Sequence, residues 1–119
     1  MDKGNDRYSF FVEKYSDFAI LMVEEVNAKR RFSMSLGSYG DFAKMLHQEC
    51  VDFMVMSDWT LLKLMMKLDS RYAVPDFYGK TFMFMGVRAM IQNDMDNGRV
   101  FMLDSHDDAI SMEIIDDAG

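Results

Sequence analysis

One cysteine, one proline and seven glycines are spread over 119 residues, and each scarcity narrows what the chain can be. A lone Cys50 excludes an internal disulfide and fits a reducing compartment, so a cytoplasmic setting is expected. Few glycines and a single proline leave the chain largely uninterrupted, with no low-complexity tract and no internal repeat. Uncharged stretches such as residues 81–87 fall far short of the ~20 residues a membrane helix requires, so no membrane partner is expected. The first residues, Met-Asp-Lys-Gly-Asn-Asp, lack an apolar core, and a cleaved secretory signal is not expected. No glycine-rich phosphate loop, serine elbow or interpretable carboxylate pair is present, so no catalytic or cofactor-binding residue is assigned.

Basic residues are scarce in one region only. Residues 1–71 hold ten Lys or Arg against eleven Asp or Glu, whereas residues 72–119 hold three against nine. From Asp104 onward there are six acids and no Lys or Arg. Such a surface repels nucleic-acid backbones, so no direct nucleic-acid contact is expected, and it attracts basic protein surfaces. A plain solubility role accounts for the same charge.

Half of the residues are apolar and 13 % are aromatic, which excludes a disordered chain. At this length a single domain over 1–119 is expected, burying roughly two-thirds of its unfolded surface. Fourteen residues are methionine, many in apolar runs such as Met54-Val55-Met56, Met65-Met66 and Met83-Phe84-Met85. Methionine fills irregular cores, and it also lines surfaces that must fit irregular partners.

The spacing predicts helices over residues 5–70. Tyr8, Phe11, Val12, Tyr15, Phe18, Ala19, Met22 and Val26 recur every three or four residues, which reads as one helical face. Asn5 or Asp6 caps its start, and Lys29, Arg30 and Arg31 suit the negative end of its dipole. A strand over 18–23 is the competing reading, because that stretch is apolar all round. Phe32, Met34 and Leu36 then alternate with serines, as a short strand or extended linker. Asp41 caps a second helix with Phe42, Met45, Leu46, Cys50, Phe53 and Met54 inward, and Ser57-Asp58 punctuates it. Leu61, Leu64, Met65 and Leu68 mark a third helix, widened by Leu62 and Met66; one long kinked helix is the alternative.

Residues 77–115 change texture towards strands. Residues 81–91 form one strand interrupted at Gly86, Asp94-Met95-Asp96-Asn97-Gly98 is a hairpin turn, and residues 99–103 return. Residues 110–115 add a third strand. The expected fold is therefore α+β, with N-terminal helices packed on a small C-terminal antiparallel sheet and no βαβ alternation.

The run Phe77-Tyr78-Gly79, Gly86-Val87-Arg88-Ala89-Met90-Ile91 and Asp94-Met95-Asp96-Asn97-Gly98-Arg99-Val100-Phe101-Met102-Leu103 resembles a hairpin segment of tailed-phage capsid proteins and small phage accessory proteins. That segment is a Gly-hydrophobic strand, a Met-centred acidic turn and a short return strand. The likeness departs at Asp96, where the family often has proline, and a capsid subunit is normally much longer. It implies a viral origin for a small protein of accessory or assembly type.

Candidate chemical sites are sparse. His47, Glu49 and Cys50 lie within one helical turn, yet too few ligands gather for zinc, and Cys50 falls on the expected apolar stripe. His106 with Asp104, Asp107 and Asp108 reads as a solvated acidic loop, and no twelve-residue calcium loop is matched. Methionine pairs beside Phe and Leu read as core packing in preference to copper ligands. No metal or cofactor is assigned. Candidate partner-binding residues are Asp94, Asp96, Asp104, Asp107, Asp108, Asp116 and Asp117, with Trp59 and Tyr39 as aromatic anchors. The expected function is a small acidic non-enzymatic protein-binding module, of the type of a phage-encoded inhibitor of basic host nucleic-acid-binding machinery. The alternatives are a self-associating virion or assembly component and, more remotely, a small metal-dependent hydrolase.

Overall fold

The structure, a computed structural model, describes residues 3–35, 39–68 and 75–115. Its elements in chain order are α1 (Lys3–Tyr15), α2 (Phe18–Val26), β1 (Arg30–Ser35), α3 (Tyr39–Gln48), β2 (Val51–Met56), α4 (Asp58–Lys67), β3 (Asp76–Tyr78), β4 (Thr81–Phe84), β5 (Val87–Ile91), β6 (Arg99–Asp104) and β7 (Ala109–Ile115). The strands form one seven-stranded sheet in the order β1-β7-β6-β2-β5-β4-β3. Strands β1 and β7 pair in parallel, as do β2 and β5, and the other neighbours are antiparallel.

The middle of that sheet is apolar on both faces. In β2, Phe53 and Val55 point one way and Met54 and Met56 the other, and all four are fully buried. Beside it in β6, Phe101 and Leu103 share the first face and Val100 and Met102 the second. The Met face packs with Phe42 and Leu46 of α3 and Leu61 and Leu64 of α4. The Phe face packs with Phe11 and Tyr15 of α1 and Leu21 of α2. Ring centroids lie 5.0 Å apart for Tyr15 and Phe101, and 5.2 Å apart for Phe11 and Phe53. Full burial of one such phenylalanine contributes about 1.5–3 kcal/mol, so these two strands hold the helices to the sheet.

The α+β class stands, but the sheet is large and mixed where a small antiparallel one was expected. One of its central strands, β2, comes from residues read as the second helix. The second expected helix stops at Gln48, and Phe53 and Met54 lie on opposite faces of a strand. A strand buried on both faces loses its period-two signature, and its continuous apolar run imitates the next turns of a helix. Strands β2 and β5 are parallel neighbours with α4 between them in sequence, which departs from the expected lack of βαβ alternation.

Three local corrections follow from turn chemistry. The first helix breaks at Ser16-Asp17: Asp17 caps α2 by accepting the Ala19 N–H at 3.0 Å, although the apolar spacing runs on through the break. The strand expected over 81–91 is a hairpin. Met85 and Gly86 both have positive φ, the geometry that a two-residue turn between twisted strands favours. The segment 94–98 does not close a hairpin, because β2 lies between β5 and β6. The hairpin is instead β6–β7, turning through Asp104 to Asp108. Of the short strand or linker expected from Phe32, the strand is found as β1, which begins two residues earlier; the strand over 110–115 and the Ser57 cap, whose Oγ accepts the Thr60 N–H, are also found. Leu36 lies outside the described residues. Among the described residues, no helix is long and apolar enough to cross a membrane.

Cys50 stops α3. Its φ of 53° is left-handed and reverses the chain into β2, while its side chain is exposed and not on an apolar stripe. That conformation costs a non-glycine residue about 1–2 kcal/mol, partly offset by the unfolded-state entropy that glycine adds. Cys50→Gly is therefore expected to raise stability by about 0.5–1 kcal/mol in urea denaturation. Cys50→Val, β-branched at the same φ, is expected to lower it. A Gly variant no more stable than wild type would contradict the strained turn.

Candidate functional site

At the carboxyl end of β2 the chain enters α4, and this end of the sheet is closed by hydrogen bonds to the loop before β6. Asn93 Oδ1 accepts the Asp58 N–H at 2.8 Å, Thr60 Oγ1 accepts the Gly98 N–H at 2.9 Å, and Ser57 Oγ donates to Asn97 Oδ1 at 3.2 Å. Gly98 has a φ of 88°, and a Cβ there would lie 3.2 Å from the Ile114 carbonyl oxygen. Glycine is thus required where the loop meets β7.

Outside this closure, α4 presents Trp59, Leu62 and Met66 at spacings of three and four, 40 %, 55 % and 69 % exposed. The Lys63 ammonium sits 5.2 Å from the Trp59 ring centre. Asp58, Asp94 and Asp96 are exposed at the same end of the sheet, and no ion pair among the described residues involves them. Asp96 lines a cleft of about 260 Å³ shared with Met22 and Val26 of α2. Helix α2 inverts the usual pattern. It buries only Leu21 and Glu25, while Ile20, Val23 and Val26 are 40–67 % exposed. Glu25 is held by Arg99 at 3.0 Å and by the Ser111 hydroxyl at 3.3 Å. Arg31 donates to the Glu25 and Val26 carbonyls, as a cation at a helix C-terminus does.

The opposite end of the sheet holds the other acids, and there they are largely neutralised. Asp104 is 6 % exposed, pairs with Arg30, and accepts the backbone N–H groups of His106 at 2.8 Å and Asp108 at 3.0 Å. Burial pushes its pKa up, but the two backbone donors and the Arg30 charge outweigh burial and hold it below the ordinary 3.8. Asp107 pairs with Arg7 at 2.6 Å, and Arg7 also pairs with Asp52. Those bonds hold the Arg7 guanidinium above its ordinary pKa against the cost of burial. Asp108 is exposed.

A third feature lies on the α1 face, where β4 and β5 extend past the helix. A groove of about 760 Å³ runs between α1 and this hairpin, with Tyr8, Ser9, Glu13, Ser16, Lys80 and Arg88 on its walls. Arg88 lies opposite Met83 in the hairpin. Its guanidinium lies 5.2 Å from the Tyr8 ring centre and 3.4 Å (Nη1) from Thr81 Oγ1. Its Nε is buried without a hydrogen-bond partner among the described residues. The Tyr8 hydroxyl donates to Asp52 at 3.1 Å; burial, then the Asp52 charge and hydrogen bond, raise its pKa.

Trp59, Asp94 and Asp96, expected at a partner surface, therefore share one end of the sheet, and Asp104, Asp107 and Asp108 occupy the other. Tyr39 opens α3, its side chain outside the described set, and Asp116 and Asp117 lie outside the described residues. His47 and Cys50 are both exposed. Among the described residues no group of three His, Cys, Asp or Glu side chains is placed to share a metal ion. The groove was not foreseen. Tyr8 read as a core residue and Arg88 as a strand's outer position, and only the pairing of α1 with the β4–β5 hairpin joins them.

Asp104→Asn is expected to cost about 1–2 kcal/mol at pH 7, discounted for the partly exposed Arg30. A carboxylate with a depressed folded pKa contributes its stability above the unfolded value and loses it as pH falls through the folded one. The gap between wild type and variant should therefore be constant from pH 5 to 7 and close below about pH 4 in urea titrations. A gap that does not narrow as the pH falls below about 4 would contradict the assignment. No protein-family model, no curated protein and no solved structure matches the chain.

Proposed function

We propose that the chain is a small non-enzymatic protein-binding module that docks a basic protein surface through the Trp59 end of the sheet. The observation that carries this is the exposed stripe of Trp59, Leu62 and Met66 beside the exposed carboxylates of Asp58, Asp94 and Asp96. Large apolar anchors next to uncompensated charge are what interfaces use for affinity and for rapid, selective encounter. The likeness of residues 77–103 to a phage segment supports the further reading of a phage-encoded inhibitor of basic host nucleic-acid-binding machinery. The buried and paired state of Asp104 and the Arg7 pairing of Asp107 remove them from this docking set.

The test immobilises the chain and challenges it with a bacterial lysate at low salt. Basic proteins should be retained, should elute by about 0.5 M salt, and should be lost with the triple variant Asp58→Asn, Asp94→Asn, Asp96→Asn and with Trp59→Ala. Circular dichroism verifies that the variants fold. Retention that ignores salt, or that is unchanged in both variants, would refute the docking surface.

A second reading, a self-associating assembly component, is favoured by the outward Ile20, Val23 and Val26 of α2. The two readings respond oppositely to salt. Screening weakens a contact between opposite charges, and it promotes association of two chains that each carry a net charge of −7. Light scattering over a concentration series should show a monomer at all salt concentrations if the first reading is right. Growth of a dimer with salt, abolished by Val23→Glu, would replace it with the second.

A further inference from the structure

We propose that the groove between α1 and the β4–β5 hairpin binds a small organic monocarboxylate, with Arg88 as its anion-binding residue. The other described arginines are satisfied within the chain. Among the described residues, Arg7 and Arg30 each hold two carboxylates, Arg99 holds Glu25, and Arg31 holds two helix-end carbonyls. Arg88 is the exception. Its contacts among the described residues are a long hydrogen bond to the Thr81 hydroxyl and the Tyr8 ring, and no carboxylate of the described residues reaches it. A guanidinium that is partly desolvated against an aromatic face, with its Nε left without an acceptor, carries an uncompensated charge. An incoming oxyanion in the groove that Arg88 lines supplies the missing counter-charge, and the guanidinium fork matches a carboxylate in two-point geometry.

The lining decides which oxyanion. Lys80 and Glu13 oppose one another in sign, so the groove carries the excess charge of one cation, that of Arg88. One excess positive charge suits a singly charged carboxylate better than a phosphate or a polyphosphate. The volume of about 760 Å³ falls within the range of small-molecule sites, and the Tyr8 ring and Val12 give an apolar wall for the ligand's body. Ser9 and Ser16 add hydroxyls along α1. The site shares no residue with the Trp59 surface and stands whether or not that surface docks a protein.

Isothermal titration of the purified chain with sodium benzoate tests this, with benzamide, inorganic phosphate and ATP as comparators. Benzoate should bind with a Kd on the order of 1 mM or tighter, as expected for a ligand of about nine non-hydrogen atoms. Benzamide, the same shape without the charge, should bind at least about tenfold more weakly. Arg88→Gln should abolish the preference for benzoate. Because that variant removes packing on Tyr8, Ser9→Phe serves as a second. Ser9 is exposed on α1, so its replacement fills the groove without touching the core, and benzoate binding should be lost. The Arg88 Nε–H resonance should move on benzoate addition while the Trp59 indole N–H resonance stays fixed. No heat with benzoate at about 10 mM, far above the Kd expected of so small a ligand, overturns the proposal, as does equal binding of benzamide. Tighter binding of phosphate or ATP, or undiminished binding by Ser9→Phe, overturns it as well.

Discussion

Two neighbouring strands, β2 and β6, are buried on both faces, and the remaining architecture answers to that constraint. A strand apolar on both sides must be covered on both sides. Helices α1 and α2 cover the Phe53 and Phe101 side, and α3 and α4 cover the Met54 and Met102 side. The two layers differ in character. The first is built from rings, with Phe11, Tyr15 and Phe53 in mutual contact and Phe101 against Tyr15. The second relies on methionine, whose unbranched side chain adapts to irregular gaps. Much of the methionine content is thus explained by packing, with Met66 an exposed exception on α4.

Charge is organised by the same layering. The front of the chain supplies Arg7 and Arg30, and the sheet brings them to the β6–β7 turn, where they neutralise Asp107 and Asp104. Two of the carboxylates counted in the acidic half, Asp104 and Asp107, are therefore paired in space, while Asp108 beside them is exposed. Among the described residues, carboxylates without an ion pair gather at the other end of β6, beside Trp59, and a cation without one, Arg88, lies on the α1 face. These two departures from internal pairing carry the two proposals made above. Helix α2 is a third departure. Its buried Glu25 is fastened by Arg99 while aliphatic side chains face outward, an arrangement that a hydrophobic stripe alone does not produce.

Where local chemistry suffices, sequence and structure agree. Ser57 is a competent cap with Thr60 three residues on, and α4 begins there. Residues 110–115 are bounded by acidic turns and form β7. Disagreement falls where a residue's neighbour in space lies far along the chain. Phe53-Met54-Val55-Met56 carries equal apolarity on every side, so its periodicity is uninformative until β5 and β6 flank it. The Asn97-Gly98 turn is locally a good hairpin signal, yet β2 inserts between the strands it joins. The candidate surface divides in the same way. The exposure of Trp59 was legible, while the fate of Asp104 required knowing that Arg30 of β1 reaches it across the sheet.

By itself the sequence determined a folded α+β chain, rich in methionine, with an acidic second half and cap residues that start its fourth helix. Composition and spacing of near neighbours are enough for those properties, because each depends on residues a few positions apart. Tertiary structure alone decided the seven-stranded order, the helices on both faces, which carboxylates are neutralised and that the buried Arg88 Nε lacks a hydrogen-bond partner among the described residues. Each of these rests on pairings across many residues, such as Arg30 with Asp104 or Tyr8 with Arg88, and neither local propensity nor charge counting carries information about such pairings.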